Sequence, residues 1–325
     1  MLKKFQKLTL ILLLIIPFNI FAYSSKIIVG GDTVGIKLNT EGILIVGSYD
    51  IDGHNILSEA GLKNGDIISQ VNNKKVNKVE ELVNIIKTCN CNNLYINYKR
   101  GKEIKRANLP LYKSGNSMKT GLYVKDSISG IGTLTFIDPS TKLFGVLGHE
   151  IIDTTTGEII DIDSGTIFDS KVTGITKSER GIPGEKNAIL YNEKVEGNIL
   201  ENTNKGLFGK YTSEIDASKL YKVASIKDIK VGDAKILTVL DGTEVGQFSI
   251  KILKVSETSD KLKNIEFEVT DKKLLEKSNG IVQGMSGSPI IQDDFIVGAV
   301  THVIVEDPHK GYGILITNML EEAEN

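Results

Sequence analysis

Residues 283–289, QGMSGSP, place two serines in a glycine-rich turn ahead of a short apolar run. A serine hydroxyl becomes a useful nucleophile when a base removes its proton and nearby donors stabilise the oxyanion that forms. Glycines at 284 and 287 let the backbone turn tightly, so that the N–H groups of Gly284 and Ser286 can converge on one oxygen. The segment therefore predicts a nucleophile, Ser286, in its own oxyanion hole. The competing interpretation is an ordinary turn between two strands.

The order of residues in this turn selects one serine over the other. The frame G-x-S-G-x-P resembles that of chymotrypsin-like peptidases, with Ser286 at the nucleophile position and Ser288 where those enzymes have a second glycine. The G-x-S-x-G elbow of α/β-hydrolases does not fit, because position 288 is serine and no strand–helix pattern follows.

A base for this serine must come from four histidines. His54 lies in the N-terminal part of the chain, His309 is in a polar loop, and His302 lies on a strand where it can contact substrate or simply pack. His149 follows the strand-like run FGVLG and precedes Ser286 by 137 residues (286 − 149 = 137), about what a double β-barrel needs to bring the two together. We therefore predict that His149 is the base, against the alternative of a core or loop histidine.

The carboxylate that would orient the imidazole is not determined by spacing. Asp153, Asp161 and Asp163 crowd close behind His149, and Asp271 stands at the end of a strand before the helical segment KKLLEK. For Asp271, a helix-capping role is a strong competing interpretation.

The elements around these residues divide the chain. Residues 26–112 form one predicted unit, with strand-like runs (VGIKL, GILIVGSY), the turn AGLKNGDII, a helix in KVEELVNIIKT and a hairpin in NLYINYKR and EIKRANLPLY. Residues 113–121 are polar and rich in Gly and Ser, which predicts a linker. From 122 to 325, short apolar segments separated by Gly, Asp and Asn predict a pair of β-barrels or a β-sandwich.

The first unit resembles a PDZ domain of the bacterial protease type, on the strength of GILIVG, AGLKNGDII, VNNKKV and the helix and hairpin that follow. Such a domain binds an extended peptide as an added strand. The resemblance places the loop for the peptide carboxylate in GGDTVGI, with Gly31, Gly35 and Ile36 as candidates. Alternatively, these glycines serve only turn conformations.

Composition excludes several function classes. With a formal charge of −2 over 325 residues, the chain has no basic stripe to follow a phosphate backbone, which argues against a nucleic-acid partner. The scattered histidines and two cysteines do not form a zinc pattern, and serine catalysis needs no cofactor. Cys89 and Cys91 would close a strained small ring, so we expect two unpaired thiols.

Residues 1–25 predict a targeting segment. Lysines at 3, 4 and 7 precede the apolar run Leu8 to Ile16, Pro17 breaks it, and Ala22 stands before a possible cleavage point. We expect an exported protein whose N-terminal segment is either removed or kept as a membrane anchor.

The second unit resembles the SpoIVB peptidases of endospore-forming bacteria. The resemblance rests on GIGTLTFIDPSTKLFGVLGHEI, GIPGEK, TDKKLLEKSNGIVQGMSGSPIIQ and VGAVTHVIVEDPHKGYGI, in this order after a PDZ-like unit. It implies a mainly β fold, with an α+β PDZ domain followed by a chymotrypsin-like double β-barrel, and a triad of His149, Asp271 and Ser286. After the histidine, where the family often has a β-branched residue, this chain has Glu150.

The same resemblance implies a place and a target. The enzyme would cleave its own N-terminal region, then a membrane-bound regulator between forespore and mother cell, and so trigger a late sigma factor. Two alternatives stay open at this point: a catalytically inactive PDZ-containing scaffold outside the cytoplasm, and a paralogous sporulation peptidase with another substrate.

Overall fold

The computed structural model describes residues 23–153, 157, 159–257 and 262–324. Residues 1–22 of the predicted targeting segment therefore lie outside the described residues. Within the described part, no helix is both long and apolar enough to cross a membrane.

Strands make up most of the described chain, as the sequence predicts. The N-terminal half contains β1 (Lys26–Val29), β2 (Thr33–Ser48), α1 (Ile56–Ala60), β3 (Ile67–Val71), β4 (Lys74–Lys75), α2 (Val79–Thr88), β5 (Asn93–Arg100), β6 (Glu103–Pro110), β7 (Tyr112–Ser114), β8 (Ser117–Lys119) and β9 (Leu122–Ile137). The C-terminal half contains β10 (Leu143–Val146), β11 (Ile162–Thr176), β12 (Glu185–Thr203), β13 (Gly206–Tyr211), β14 (Leu220–Val223), β15 (Gly232–Val239), β16 (Val245–Val255), β17 (Ile265–Val269), α3 (Lys272–Ser278), β18 (Pro289–Gln292), β19 (Phe295–Val303), β20 (Lys310–Leu315) and α4 (Ile316–Ala323).

Two closed barrels form most of the fold, and the first of them includes the N-terminal strand β2. The first runs β9, β2, β11, β12, β13, β10 and back to β9, every pair antiparallel. The second runs β15, β16, β17, β20, β19, β18 and back to β15, again antiparallel throughout. Closure removes the exposed sheet edges that short strands would otherwise present. The predicted double β-barrel is confirmed by this pairing.

The sequence pattern explains why these strands close. Along β16, the side chains of Phe248, Ile250 and Ile252 are buried, while the intervening Ser249 and Lys251 are exposed. This period-2 alternation places one face of the strand in the barrel core and the other in solvent.

A small α+β unit packs beside the first barrel. It contains β3 to β6 with α1 and α2, and its core includes Ile43, Ile68 and Leu94. Helix α1 begins where the Asn55 side chain accepts a hydrogen bond from the Ser58 N–H, and it ends at Gly61 in the left-handed conformation. These are the elements predicted for a PDZ domain.

Strand pairing corrects the predicted boundaries of this unit. Residues 33–39 of β2 pair with β9 and β11 of the first barrel, whereas residues 44–48 pair with the start of β9, and residues 43–44 pair with β3. Strand β1 also pairs with β9 and β14. The PDZ-like unit is therefore inserted within the first barrel rather than preceding it: residues 33–39 belong to the barrel, and β1 pairs with the barrel strand β9.

Two local expectations are also corrected. The predicted linker 113–121 contains part of a β-hairpin, in which β7 pairs with β8. Cys89 and Cys91, expected to be free thiols, form a disulfide at the end of α2.

Candidate active site

Ser286 lies in a tight loop between α3 and β18, and two glycines shape it. Gly284 and Gly287 have φ values of 90° and 91°, a region that strongly favours glycine. A Cβ atom at Gly287 would lie 2.1 Å from the Thr133 carbonyl oxygen, so the loop packs directly on the backbone of β9. Both glycines are therefore required by conformation, and Gly287 also by close approach.

Two threonines of β9 hold the loop from below. The Thr133 N–H donates to the Ser286 carbonyl at 2.9 Å, and the Thr133 hydroxyl donates to the Gly284 carbonyl at 2.8 Å. The Thr135 hydroxyl donates to the Gly287 carbonyl at 2.8 Å. Because the threonines belong to the first barrel and the loop to the second, these bonds fix the nucleophile at the junction of the barrels.

The same loop leaves two N–H groups available for an oxyanion. The Gln283 carbonyl accepts from the Lys186 N–H at 3.0 Å, and the Met285 carbonyl accepts from the backbone N–H three residues on at 2.9 Å. In a trans peptide the N–H points opposite to the carbonyl, so the N–H groups of Gly284 and Ser286 face away from these contacts. Neither donates to a protein acceptor among the described residues. This is the arrangement that an oxyanion hole requires.

His149 follows β10 through two residues in the left-handed region, Leu147 and Gly148, with φ values of 72° and 70°. Its Nδ1 lies 2.7 Å from the Glu150 carbonyl oxygen. A carbonyl only accepts, so Nδ1 carries the proton and Nε2 of the neutral ring is free to act as a base. The main chain thus selects the tautomer that a serine peptidase needs.

Ser286 and His149 line one cleft of about 440 Å³ at the barrel junction. In this state the Ser286 hydroxyl donates to the Thr301 carbonyl at 3.1 Å, and no hydrogen bond joins it to His149 among the described contacts. Catalytic hydrogen bonds often form fully only when substrate binds. Rotation of the Ser286 side chain is therefore part of any reaction at this site.

Asp271 lies outside the cleft that Ser286 and His149 line. Its carboxylate caps α3, accepting from the Leu274 N–H at 3.0 Å and from the Ser249 N–H at 3.3 Å, and it does not line the cleft. Another candidate, Asp161, forms an ion pair with Lys99 of the PDZ-like unit. The structure brings His149 and Ser286 together but not Asp271, whose orienting role rests on the family resemblance alone.

With this geometry in place, sequence comparison decides the family. The pattern of the SpoIVB peptidase S55 family matches residues 116–320, which include His149 and Ser286. The chain belongs to this family. It is accordingly a serine peptidase, and the nucleophile loop lies inside the matched region.

Two solved structures are similar to parts of this SpoIVB-family peptidase. The PDZ domain of the SdrC-like protein from Listeria monocytogenes is 19% identical over 26% of this chain and 90% of that chain, with a TM-score of 0.23. An inactive serine-to-alanine mutant of Rv3671c from M. tuberculosis H37Rv is 12% identical over 60% of this chain and 82% of that chain, with a TM-score of 0.29. No curated protein matches the chain.

A second histidine of the SpoIVB-family peptidase stands in the same cleft. The His302 ring lies 5.5 Å from the His149 ring, centroid to centroid, and its Nδ1 is buried without a hydrogen-bond partner among the described residues. Burial, with smaller contributions from His149 and Lys263, lowers the pKa of His302 to about 4. His302 is therefore neutral near pH 7, so it places no positive charge beside His149.

Lys186 is a site residue that sequence reasoning missed. Its side chain is buried beneath the nucleophile loop, 3.2 Å from the position a Cβ atom would take on Gly284. Its Nζ donates to the hydroxyls of Thr33 at 3.0 Å and Thr238 at 2.8 Å, and burial lowers its pKa to about 7. Nothing in the sequence around GIPGEK distinguishes this lysine from an exposed one.

The residues predicted to form the PDZ carboxylate loop lie in the first barrel instead. Gly35 faces the ring of Phe168, Ile36 lines the catalytic cleft, and Gly31 packs against the side chain of Val245. This corrects their assignment to the PDZ groove. The cause is β2, whose first half pairs within the barrel and is not available to a docked peptide.

Proposed function

We propose that this serine peptidase is an exported endopeptidase that cuts its own N-terminal region and then a membrane-associated regulator in the space between forespore and mother cell. That second cut would trigger activation of a late sigma factor. Family membership supports this role, and the geometry of one loop supports the chemistry.

The observation that carries the proposal is the Ser286 loop. Two N–H groups without an acceptor in the described part of the chain flank a serine hydroxyl, in a cleft shared with a histidine whose Nε2 is available. In the proposed reaction Ser286 attacks a peptide carbonyl while His149 takes the hydroxyl proton. The N–H groups of Gly284 and Ser286 hold the oxyanion, and His149 then gives the proton to the leaving amine. The Glu150 carbonyl accepts from Nδ1–H in the neutral and in the protonated ring, so Nε2 is the nitrogen that takes up and returns the proton.

One observation favours a second candidate. The Asp271 carboxylate is engaged by backbone N–H groups and does not line the cleft beside His149. A site without an orienting carboxylate is expected in an inactive scaffold that only binds partners through its PDZ-like unit. A peptidase of the same family with another substrate would share the site geometry and differ in the cleft walls.

The test compares Ser286→Ala with Ser288→Ala. The Ser288 hydroxyl is buried and has no hydrogen-bond partner within the described ranges, so its removal perturbs the same loop without touching the proposed nucleophile. A fluorophosphonate probe should label the wild type and Ser288→Ala but not Ser286→Ala. Mass spectrometry of the N-termini should show processing in the first two only. Labelling of Ser286→Ala, or its continued self-processing, would contradict the mechanism, and an unlabelled wild type would support the scaffold.

A further inference from the structure

The proposal here rests on the proposed peptidase function and names its substrate class. We propose that the cleft selects a large apolar side chain, such as leucine or phenylalanine, on the P1 residue, whose carbonyl Ser286 attacks. The substrate would thus be an extended segment with an apolar residue directly before the cut.

The position of the P1 side chain follows from the hydrogen bonds around Ser286. The attacked carbonyl must lie against Ser286 Oγ with its oxygen toward the two free N–H groups. The Thr301 carbonyl, 3.1 Å from that Oγ, would then lie beside the substrate backbone, where it can accept from the P1 N–H. The P1 side chain projects between the segment 281–283, which precedes the nucleophile, and the segment 303–305, which follows Thr301.

The walls at this place are mostly aliphatic, and the polar side chain of the segment 281–283 is that of Gln283. Ile281, Val282, Val303 and Val305 line the cleft there, together with Pro183 from the turn before β12. No Asp, Glu, Lys or Arg side chain is among the described residues that line it. A volume of about 440 Å³ exceeds what one side chain needs and is in the range of ligand clefts. Burial of an apolar group against such walls is favourable, roughly in proportion to the area removed from water.

A charged P1 side chain would find no oppositely charged carboxylate, lysine or arginine among the described residues that line the cleft. Besides His149, the titratable group in the walls is His302, which is neutral near pH 7 because its pKa is lowered to about 4. A lysine or aspartate placed there would lose its hydration without gaining an ion pair, which is strongly unfavourable. The cleft therefore selects substrates in two ways: it binds apolar P1 side chains and disfavours charged ones.

The apolar surface continues onto the rim. Ile182 is 63% exposed and Val305 is 39% exposed, and the two loops that carry them are joined by the Gly181 N–H, which donates to the Val305 carbonyl at 2.9 Å. Large aliphatic side chains held at the mouth of a cleft extend its apolar contact beyond the P1 residue. They mark this rim as part of the substrate surface.

The experiment uses peptides that differ only at the P1 residue, with Leu, Phe, Ala, Lys or Asp. For the full-length wild type, kcat/KM for Leu and Phe should exceed that for Ala by at least about tenfold, and that for Lys and Asp by more than about 100-fold. Val305→Asp should reduce cleavage after Leu and raise cleavage after Lys. The matched control, Val231→Asp, changes a valine that is 64% exposed and does not line the cleft, and it should leave the order unchanged.

Binding to Ser286→Ala separates the two proposals. The same peptides, measured by fluorescence anisotropy, should bind in the same order, because the cleft walls are intact in this variant. If the wild type cuts nothing but the order of binding holds, the proposed function fails and the apolar cleft stands. Equal or tighter binding of the Lys or Asp peptides, binding of none of the series, or cleavage without preference would overturn the cleft assignment.

Discussion

Lys186→Met should stabilise the protein near neutral pH. The Lys186 side chain is buried, and its Nζ donates to two threonine hydroxyls, with no carboxylate among its described hydrogen-bond partners. Methionine has a similar volume and no charge, so the substitution removes a buried ammonium group without opening a large cavity.

The magnitude follows from the pKa, which burial lowers from 10.5 to about 7. Since the folded chain binds this proton less tightly than the unfolded chain, the charged form opposes folding below pH 10.5. The penalty is absent well above pH 10.5, grows by about 1.4 kcal/mol per pH unit as the pH falls towards 7, and levels off below that. At about pH 7.5 it amounts to about 4 kcal/mol.

Loss of the hydrogen bonds acts in the opposite direction. Thr33 and Thr238 each lose a donor, which costs roughly 1 kcal/mol apiece for buried hydroxyls that can still rotate. The stabilisation gained by removing the buried charge therefore exceeds the cost of the lost hydrogen bonds. The free energy of unfolding should rise by about 2 kcal/mol at about pH 7.5, and the advantage should vanish near pH 9, where the remaining penalty is about 2 kcal/mol.

Urea denaturation of the wild type and Lys186→Met across this pH range measures the effect. Lys171→Met is the matched control, since Lys171 is exposed on β11 and should show no pH-dependent difference from the wild type. A Lys186→Met protein that is less stable than the wild type at about pH 7.5, or a difference that does not change with pH, would refute the reasoning.

Two further predictions concern the nucleophile loop and the cap before it. Gly287→Ala should abolish turnover and probe labelling, because its Cβ would lie 2.1 Å from the Thr133 carbonyl oxygen; retained labelling would show that the loop can move. Asp271→Ala should lower the free energy of unfolding by about 1 kcal/mol through loss of the α3 cap, whereas Asp271→Asn, an equally good cap, should retain both stability and most activity. A fall in kcat of about 10⁴ for Asp271→Asn at unchanged stability would instead support its role in a triad.

The local residue pattern was enough to single out the Ser286 loop as the candidate nucleophile loop. Gly284 and Gly287 are needed for backbone conformations that the structure shows, and such requirements act within a few residues of the chain. The same holds for the strands, whose period-2 alternation predicts a mainly β fold, and for α1, whose cap residues are adjacent in sequence. The small number of histidines limited the candidates for the catalytic base to four.

Local rules misled in two places. The small ring closed by Cys89 and Cys91 was judged too strained to form, yet the structure contains the bond. The run VGIKL reads as a strand of the PDZ-like unit because it precedes GILIVG directly, but the two halves of β2 pair with different partners. Two runs that follow one another in sequence can therefore pair with different strands.

The sequence by itself determined the chemistry that is available: a serine between glycines, a histidine after a strand, and short amphipathic strands on both sides. Tertiary structure alone decided how that chemistry is held. Thr133 supports the loop from 153 residues away (286 − 133 = 153), Lys186 lies beneath it, and the PDZ-like unit is inserted within the first barrel. These contacts depend on strand register and barrel closure across distant segments, and each is made by a residue whose type is common throughout the chain. No local pattern marks such a residue, because its role comes from its neighbours in space.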